Sequence, residues 1–146
     1  MTSLFEHSPW LEARADTRPS SGDRHADLLA VMYEADIEEQ LGLIRAHPEL
    51  GGKAAIDGTL TKASAIEQAS AGLDRLSPEE FARFHAMNAA YRARFHFPFI
   101  ICVRLNDKNS ILAAMERRLE NGRQEEIGAA LEQIGEIVRL RLEDPT

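Results

Sequence analysis

Two short stretches of this chain carry side chains that could move a proton. The first is the tetrapeptide His-Pro-Glu-Leu at 47–50, and the second places Ser64, Glu67 and Gln68 on a predicted helix. The unperturbed pKa of histidine lies close to neutrality, so its imidazole can give or take a proton at working pH. Because proline biases the preceding residue towards extended geometry, the tetrapeptide predicts a turn that presents His47. Together the two stretches predict an acid/base site.

His47 also has a structural interpretation, as a turn histidine whose ring bonds a nearby carbonyl. A metal site is disfavoured, because the other histidines show no His-x-x-x-His spacing and the chain has one cysteine. That cysteine, Cys102, stands among apolar residues and is interpreted as a buried structural thiol. Spacing alone leaves both interpretations of His47 open.

Glu67 could serve its own helix instead of a site. Ser64-x-x-Glu67 fits a capping box, in which the glutamate bonds back to the Ser64 amide. Pattern alone favours this interpretation, although Thr61 competes for the cap position. If Thr61 caps the helix, Ser64, Glu67 and Gln68 project from one face.

Arg141 continues an apolar seam in the last predicted helix. Apolar residues recur at 127, 131, 134 and 138, and the same spacing leads to position 141. A guanidinium on a buried face is costly unless it meets a carboxylate, backbone carbonyls or an anionic ligand. Alternatively, the side chain reaches solvent past the helix end. Both outcomes remain open from the sequence.

Helical signals dominate the rest of the chain. Ser77 followed by Pro78 is typical of a helix N-terminus, and the residues after it predict an aromatic core face of Phe81, Phe84, Tyr91 and Phe95. Further helices are predicted over 28–35, 37–46 (capped by Asp36), 108–121 and 124–142. Residues 15–24 predict a polar loop.

Residues 97–103 are the exception to the helical pattern. They have strand propensity, yet no neighbouring segment could pair with them as a sheet. We therefore predict a buried extended segment whose backbone groups bond elsewhere and which is suited to form a ligand-binding wall. The fold class predicted for 1–146 is all-α, a single-domain compact helical bundle with this one extended segment.

Composition narrows the classes of partner. The net charge of −7 over 146 residues argues against nucleic acid and anionic membranes, which require a basic surface. An anionic ligand would need local positive charge in its site. No apolar run approaches the roughly 20 residues of a membrane span, and no signal peptide is recognised at the N-terminus. Cytoplasmic localisation is the expectation.

Taken together, these residues resemble one family, the 2-oxo-4-hydroxy-4-carboxy-5-ureidoimidazoline (OHCU) decarboxylases of urate degradation. The resemblance covers nearly the whole chain in family order, and its combination of motifs is specific. The matching stretches are Ser8-Pro9-Trp10, Arg18-Pro19, His47-Pro48-Glu49-Leu50, Leu60-Thr61, Ser64-x-x-Glu67-Gln68, Ala71-Gly72-Leu73, Phe95-x-Phe97-Pro98-Phe99-Ile100-Ile101 and Arg139-Leu140-Arg141-Leu142.

The resemblance implies that His47 is the catalytic histidine and Glu67 its acidic partner. It implies that Arg141 meets an anionic or carbonyl oxygen and that apolar walls come from Phe97, Phe99 and Ile101. The remaining residues expected to line the substrate are Pro48, Ser64, Gln68 and the backbone of Phe99, Ile100, Ile101, Cys102 and Val103.

The activity implied by the resemblance converts OHCU to (S)-allantoin and CO2. The family is all-helical, uses no cofactor or metal, and usually forms homodimers. Two competing functions stay open: a non-catalytic ureide-binding module, and a ring-opening hydrolase that uses His47 and Glu67 on water.

Overall fold

The computed structural model describes residues 4–5, 7–51 and 60–143. Within them the chain forms seven α-helices and one short 3-10 turn, Val103–Leu105, and no strand is found in these ranges. This confirms the all-α prediction. The helices are α1 Trp10–Asp16, α2 Arg24–Glu34, α3 Ile37–Arg45, α4 Lys62–Ser70, α5 Pro78–Phe95, α6 Lys108–Arg118 and α7 Arg123–Glu143.

Helix starts follow the capping chemistry of the sequence. Asp36 and Ser77 each accept a bond from the backbone three residues on and form capping boxes with Glu39 and Glu80. α2 begins earlier than predicted, because Asp23 accepts a hydrogen bond from Ala26 N and caps a first turn that lacks large apolar residues. α1 was not predicted, and α6 ends at Arg118, before the predicted residue 121.

The long helix α7 contributes the middle of the core. It packs against α2 and α3, while α1 packs on α2 and α5 on α6. Its predicted apolar seam is buried, and the buried face includes Ile127, Leu131, Ile134, Val138 and Arg141. None of the helices in the described ranges has the length and apolarity needed to cross a membrane.

An aromatic cluster joins α5 to the extended segment. The Tyr91 ring centroid lies 4.6 Å from that of Phe95, 5.9 Å from Phe97 and 5.3 Å from Phe99. Phe81 does not belong to this core, contrary to the prediction, because its half-buried ring stacks on His85 near the surface.

Residues 97–102 run through the core without helical or strand structure, as predicted. Their backbone bonds to side chains: Arg118 of α6 donates to Ile100 O, and Cys102 N donates to Gln133 of α7. The 3-10 turn that follows packs against α4. The extended segment is thereby placed beside the helix that carries Ser64, Glu67 and Gln68.

Candidate active site

A cleft opens where the loop after α3, α4, the extended segment and α7 meet. It holds about 410 Å³ of empty space when the solvent at its mouth is included. All the site residues predicted from the sequence line it except Phe97. The described residues that line it are His47, Pro48, Leu50, Ser64, Glu67, Gln68, Phe99, Ile100, Ile101, Cys102, Val103, Arg104, Ile137 and Arg141.

His47 lies in the turn that ends α3 and is 7% exposed. Its Nδ1 is 2.9 Å from the carbonyl oxygen of Leu43. Since a carbonyl oxygen only accepts, Nδ1 donates and carries a hydrogen, and the neutral ring has its lone pair on Nε2. The two interpretations of His47 are therefore compatible: one ring nitrogen bonds a carbonyl, and the residue also lines the cleft.

Gln68 holds the loop that follows His47. Its Oε1 accepts from Gly51 N at 3.0 Å, and its Nε2 donates to Glu49 O at 3.3 Å. Gly51 has φ of +62°, and a Cβ built there would lie 2.9 Å from Leu76 Cδ1, so the turn favours glycine. The Gln68 amide is thus bonded to the loop at both ends and positions it against α4.

The start of α4 is capped by Thr61. Its side chain accepts from Ser64 N at 3.3 Å, and the helix begins at Lys62. The capping box favoured by the pattern, with Ser64 as cap and Glu67 bonding back to it, is therefore wrong. Because Thr61 takes the cap position, Ser64, Glu67 and Gln68 lie inside the helix and are buried together on one face.

Arg141 and Glu67 form a bidentate ion pair in the wall of the cleft. Arg141 Nε is 2.9 Å from Glu67 Oε2, and Nη2 is 2.7 Å from Oε1. Arg141 also donates to Ser64 Oγ and to Leu4 O. The two side chains are only 3% and 11% exposed. Arg141 therefore does not reach solvent past the helix end, and the oxygens it meets include a site carboxylate.

The lining of the cleft carries local positive charge within an acidic protein. Among the described residues that line it, Arg104 and Arg141 supply two guanidinium groups and Glu67 supplies one carboxylate. Burial raises the pKa of the Cys102 thiol, which keeps this part of the wall uncharged. The site thus meets the electrostatic requirement for a small anionic ligand.

Two predicted features of the walls need correction or qualification. Phe97 does not line the cleft, because its ring packs on Tyr91 and Phe95 in the aromatic cluster. Phe99 does line the cleft, but its ring packs edge-on against Tyr91 and lies 4.4 Å below the Arg118 guanidinium. Both rings are therefore committed to the core.

Sequence reasoning missed three lining residues, Leu50, Arg104 and Ile137. Leu50 is the last residue of the tetrapeptide 47–50 and Arg104 follows the extended segment directly, so position in the chain was an available signal. Ile137 also had a signal, since it lies three residues after Ile134 and four before Arg141, on the buried face of α7. Within the described ranges, no group of three or more His, Cys, Asp or Glu side chains could hold a metal ion.

A second buried polar cluster lies behind the extended segment and was also missed. Glu126, which is fully buried, accepts from Arg118 Nε at 2.8 Å, from the Tyr91 hydroxyl, and from Asn121 Nδ2 at 2.8 Å. Burial and the bond to Glu126 raise the pKa of the Tyr91 phenol, which therefore remains a donor. The same Arg118 donates to Ile100 O at 2.8 Å and connects this cluster to the cleft wall.

Comparisons with known proteins agree on one family. The family model described as OHCU decarboxylase matches residues 1–143. The chain is 40% identical over 142 residues to an OHCU decarboxylase of Haloferax volcanii, covering 95% of this chain and 82% of that protein. It is 40% identical over 146 residues to the one from Halalkalicoccus jeotgali, covering 98% and 81%. A solved OHCU decarboxylase, crystallised in the presence of (S)-allantoin, shares the fold with a TM-score of 0.71 at 20% identity, covering 93% of this chain and 89% of that one.

Proposed function

The chain belongs to the OHCU decarboxylase family, and we propose that it converts OHCU to (S)-allantoin and CO2 in the cleft around His47. It is accordingly a carboxy-lyase of urate degradation. The observation that carries the proposal for the site is the position of His47 and Glu67. Both line one cleft, with His47 Nδ1 committed to Leu43 O and Glu67 held at both oxygens by Arg141.

The substrate itself can accept the electron pair that its decarboxylation releases. When CO2 leaves the carboxyl-bearing carbon, the electron pair of the broken bond delocalises into the conjugated imidazoline ring of the substrate. The ring then needs a proton on one face of a single carbon to become chiral allantoin. The protein must therefore hold the carboxylate out of the ring plane, bind the ring amides and control one proton.

His47 is suited to control that proton. Because Nδ1 donates to Leu43 O, Nε2 is the ring nitrogen that can exchange a proton. It takes a proton there, becomes an imidazolium and delivers the proton to the ring carbon from one side, which sets the (S) configuration. The fixed Nδ1 bond also prevents the ring from turning over between the two steps.

Glu67 and the extended segment are proposed to bind the substrate. Glu67, held by Arg141, is placed to accept the hydroxyl hydrogen of the substrate and to repel its departing carboxylate. Within the described residues, Ile101 N, Ile101 O and Val103 N take part in no hydrogen bond. A small ring rich in amide donors and acceptors is the complementary ligand.

Two finer features are proposals, the first implied by the family resemblance and the second expected from the sequence. We propose a homodimer, and we propose that the protein acts in the cytoplasm. Light scattering on the purified protein measures the first, and a monomeric mass at assay concentration would contradict it. Fractionation of the source cells tests the second.

Product analysis tests the proposed activity. OHCU is unstable, so it is generated in place from urate with the upstream enzymes, and circular dichroism follows chiral allantoin while CO2 release is measured. Faster accumulation of (S)-allantoin with CO2 supports the decarboxylase. Ring opening without CO2 would indicate a hydrolase, and binding without turnover a ureide-binding module.

The role of His47 is tested by His47→Asn. The variant should fold normally and lose about 10²–10⁴-fold in turnover, the usual contribution of general acid/base catalysis. His85→Asn is the matched control, because His85 is exposed on α5 and lies outside the cleft. A folded His47→Asn protein with the turnover and enantioselectivity of the control would exclude His47 as the proton carrier.

A further inference from the structure

The extended segment has one side that is bonded to core side chains. Ile100 O accepts from Arg118 Nη1 at 2.8 Å, Cys102 N donates to Gln133 Oε1 at 2.9 Å, and Cys102 O accepts from Asn106 Nδ2 at 2.9 Å. These three contacts cover three consecutive peptide units, those that join residues 100 to 103. Each unit is therefore held by a different side chain.

The other side of the same peptide units is set by covalent geometry. In a trans peptide the C=O and N–H bonds point in opposite directions, and no cis peptide occurs in the described ranges. Ile101 N–H thus points away from Arg118, and Ile101 C=O points away from Gln133. Val103 N–H points away from Asn106 in the same sense, because Cys102 is extended, with φ of −75° and ψ of 99°.

We propose that Gln133 is a positioning residue for substrate binding, because its bond to Cys102 N orients the Ile101 carbonyl towards the ligand. Arg118 and Asn106 do the same for Ile101 N–H and Val103 N–H. This inference rests on the proposed function and deepens it. It identifies the side chains that hold the backbone recognition pattern, and Gln133 and Asn106 are absent from the cleft lining.

The pattern also indicates the chemical class of ligand. The N–H and C=O of one extended residue lie side by side, so Ile101 presents a donor and an acceptor together. An amide inside a five-membered ring is cis and shows its own N–H and C=O on one edge, whereas an open-chain trans amide shows them on opposite sides. The Ile101 pair is therefore complementary to a cyclic amide edge, or to the –CO–NH2 end of a ureido group, in which one N–H also lies beside the C=O, and it disfavours a secondary trans amide.

Gln133 offers a cleaner test than Arg118, because its side chain is uncharged and only half buried. Gln133→Met keeps an unbranched side chain of similar length and removes the acceptor. Allantoin, which is uncharged, should bind about tenfold more weakly, as expected for the loss of one orienting hydrogen bond. KM for OHCU should rise by a similar factor with a smaller change in kcat. Gln124→Met, at an exposed position of the same helix, should change none of these values.

Rescue separates positioning from a purely structural role. Gln133→Glu restores an oxygen acceptor for Cys102 N and should recover allantoin affinity. Gln133→Met leaves the buried Cys102 N–H without that acceptor and should lower the melting temperature, so affinities are compared at a temperature at which thermal melts show every variant to be folded. Gln133→Met with wild-type affinity would overturn the proposal, as would Gln133→Glu with the same defect as Gln133→Met.

A second variant covers the case in which Gln133→Met fails to fold. Asn106→Leu removes the donor to Cys102 O and should weaken allantoin binding by the same mechanism, whereas unchanged affinity would overturn the proposal. A wild-type protein that binds allantoin without releasing CO2 from OHCU would contradict the decarboxylase activity alone, because the comparison of affinities still applies. A wild-type protein that does not bind allantoin would overturn both proposals.

Discussion

Two buried guanidinium–carboxylate pairs occur within the described residues, and their surroundings differ. We call Arg118 with Glu126 the core pair and Arg141 with Glu67 the pocket pair. In the core pair, the Glu126 carboxylate accepts from three residues and is fully buried. In the pocket pair, the only donors to Glu67 found in the described ranges belong to Arg141.

The difference shows what distinguishes a scaffold from a site. An ionised carboxylate has about four acceptor positions, so Glu67 retains capacity for a ligand, whereas Glu126 is almost saturated. Burial of charge alone would not separate the two pairs. Their remaining hydrogen-bonding capacity, together with the cleft beside Glu67, does. We expect loss of the core pair to act mainly on stability and loss of the pocket pair mainly on turnover.

Arg118→Met should have the largest effect on stability. It leaves the Glu126 carboxylate buried without its cation, which typically costs about 3–5 kcal/mol of unfolding free energy. The control is Arg83→Met, which removes an exposed pair with Glu116 and should change stability by less than about 1 kcal/mol. Chemical denaturation measures both, and equal stability of the two variants would show that Glu126 does not depend on Arg118.

Glu67→Gln should act on turnover. The amide oxygen of glutamine can still accept from Arg141, so the melting temperature should fall less than in Arg118→Met. Loss of the negative charge should lower kcat by about 100-fold. Glu136→Gln, which breaks a partly exposed pair with Arg139 on α7, is the control. A kcat like that of the control would remove Glu67 from the catalytic machinery.

Arg141→Lys should have a smaller effect, mainly on affinity. Lysine keeps the charge but cannot reproduce the planar fork that holds both Glu67 oxygens. Allantoin binding should weaken by about 1–3 kcal/mol, with little change in melting temperature. Calorimetric titration and thermal melts measure the two quantities, and unchanged affinity would show that the fork geometry does not matter to the ligand.

The half-buried pair of Arg14 with Glu39 extends the comparison towards the surface. The hydrogen bond from Arg14 lowers the pKa of Glu39. The stability from this shift is therefore complete above the usual carboxyl pKa and is lost as pH falls through the lowered value. Glu39→Gln preserves the capping box with Asp36. In this variant the melting temperature should fall slightly less than in the wild type as the pH is lowered.

Glu38→Gln is the control for the surface pair, since Glu38 is exposed on the same helix. Melting temperatures between neutral and acid pH measure the effect in both variants. If the melting temperatures of Glu39→Gln and wild type fall equally as the pH is lowered, the Arg14 pair has no stabilising role.

Local chemistry was enough to predict much of the fold. Ser77 and Asp36 carry their capping signals in a few neighbouring residues, and the α7 seam repeats at helical spacing, so both could be interpreted from the sequence. The extended segment was recognised because strand propensity stood without a partner strand. α1 was missed, because neither a side-chain cap nor a long apolar period marks its short sequence.

The contacts within the candidate site were harder to predict from the sequence, because the residues that form them are far apart in the chain. Arg141 and Glu67 are 74 residues apart, so the seam showed an anomalous arginine without showing its partner. Thr61 and Ser64 competed for one cap within four residues, and the pattern favoured the wrong one. The Arg118–Glu126 pair carried no signal, since charged residues near helix ends are usually exposed.

The extended segment has a further consequence for how the chain can change in evolution. Loops usually accept insertions and deletions. Here successive backbone groups alternate between the side bonded to the core and the side of the ligand. One added residue between 99 and 103 would turn the groups after it to the opposite side. The core would gain unbonded backbone groups, and the ligand would meet the wrong order of donors and acceptors. We expect the length of this segment to be as restricted as the identity of a catalytic side chain.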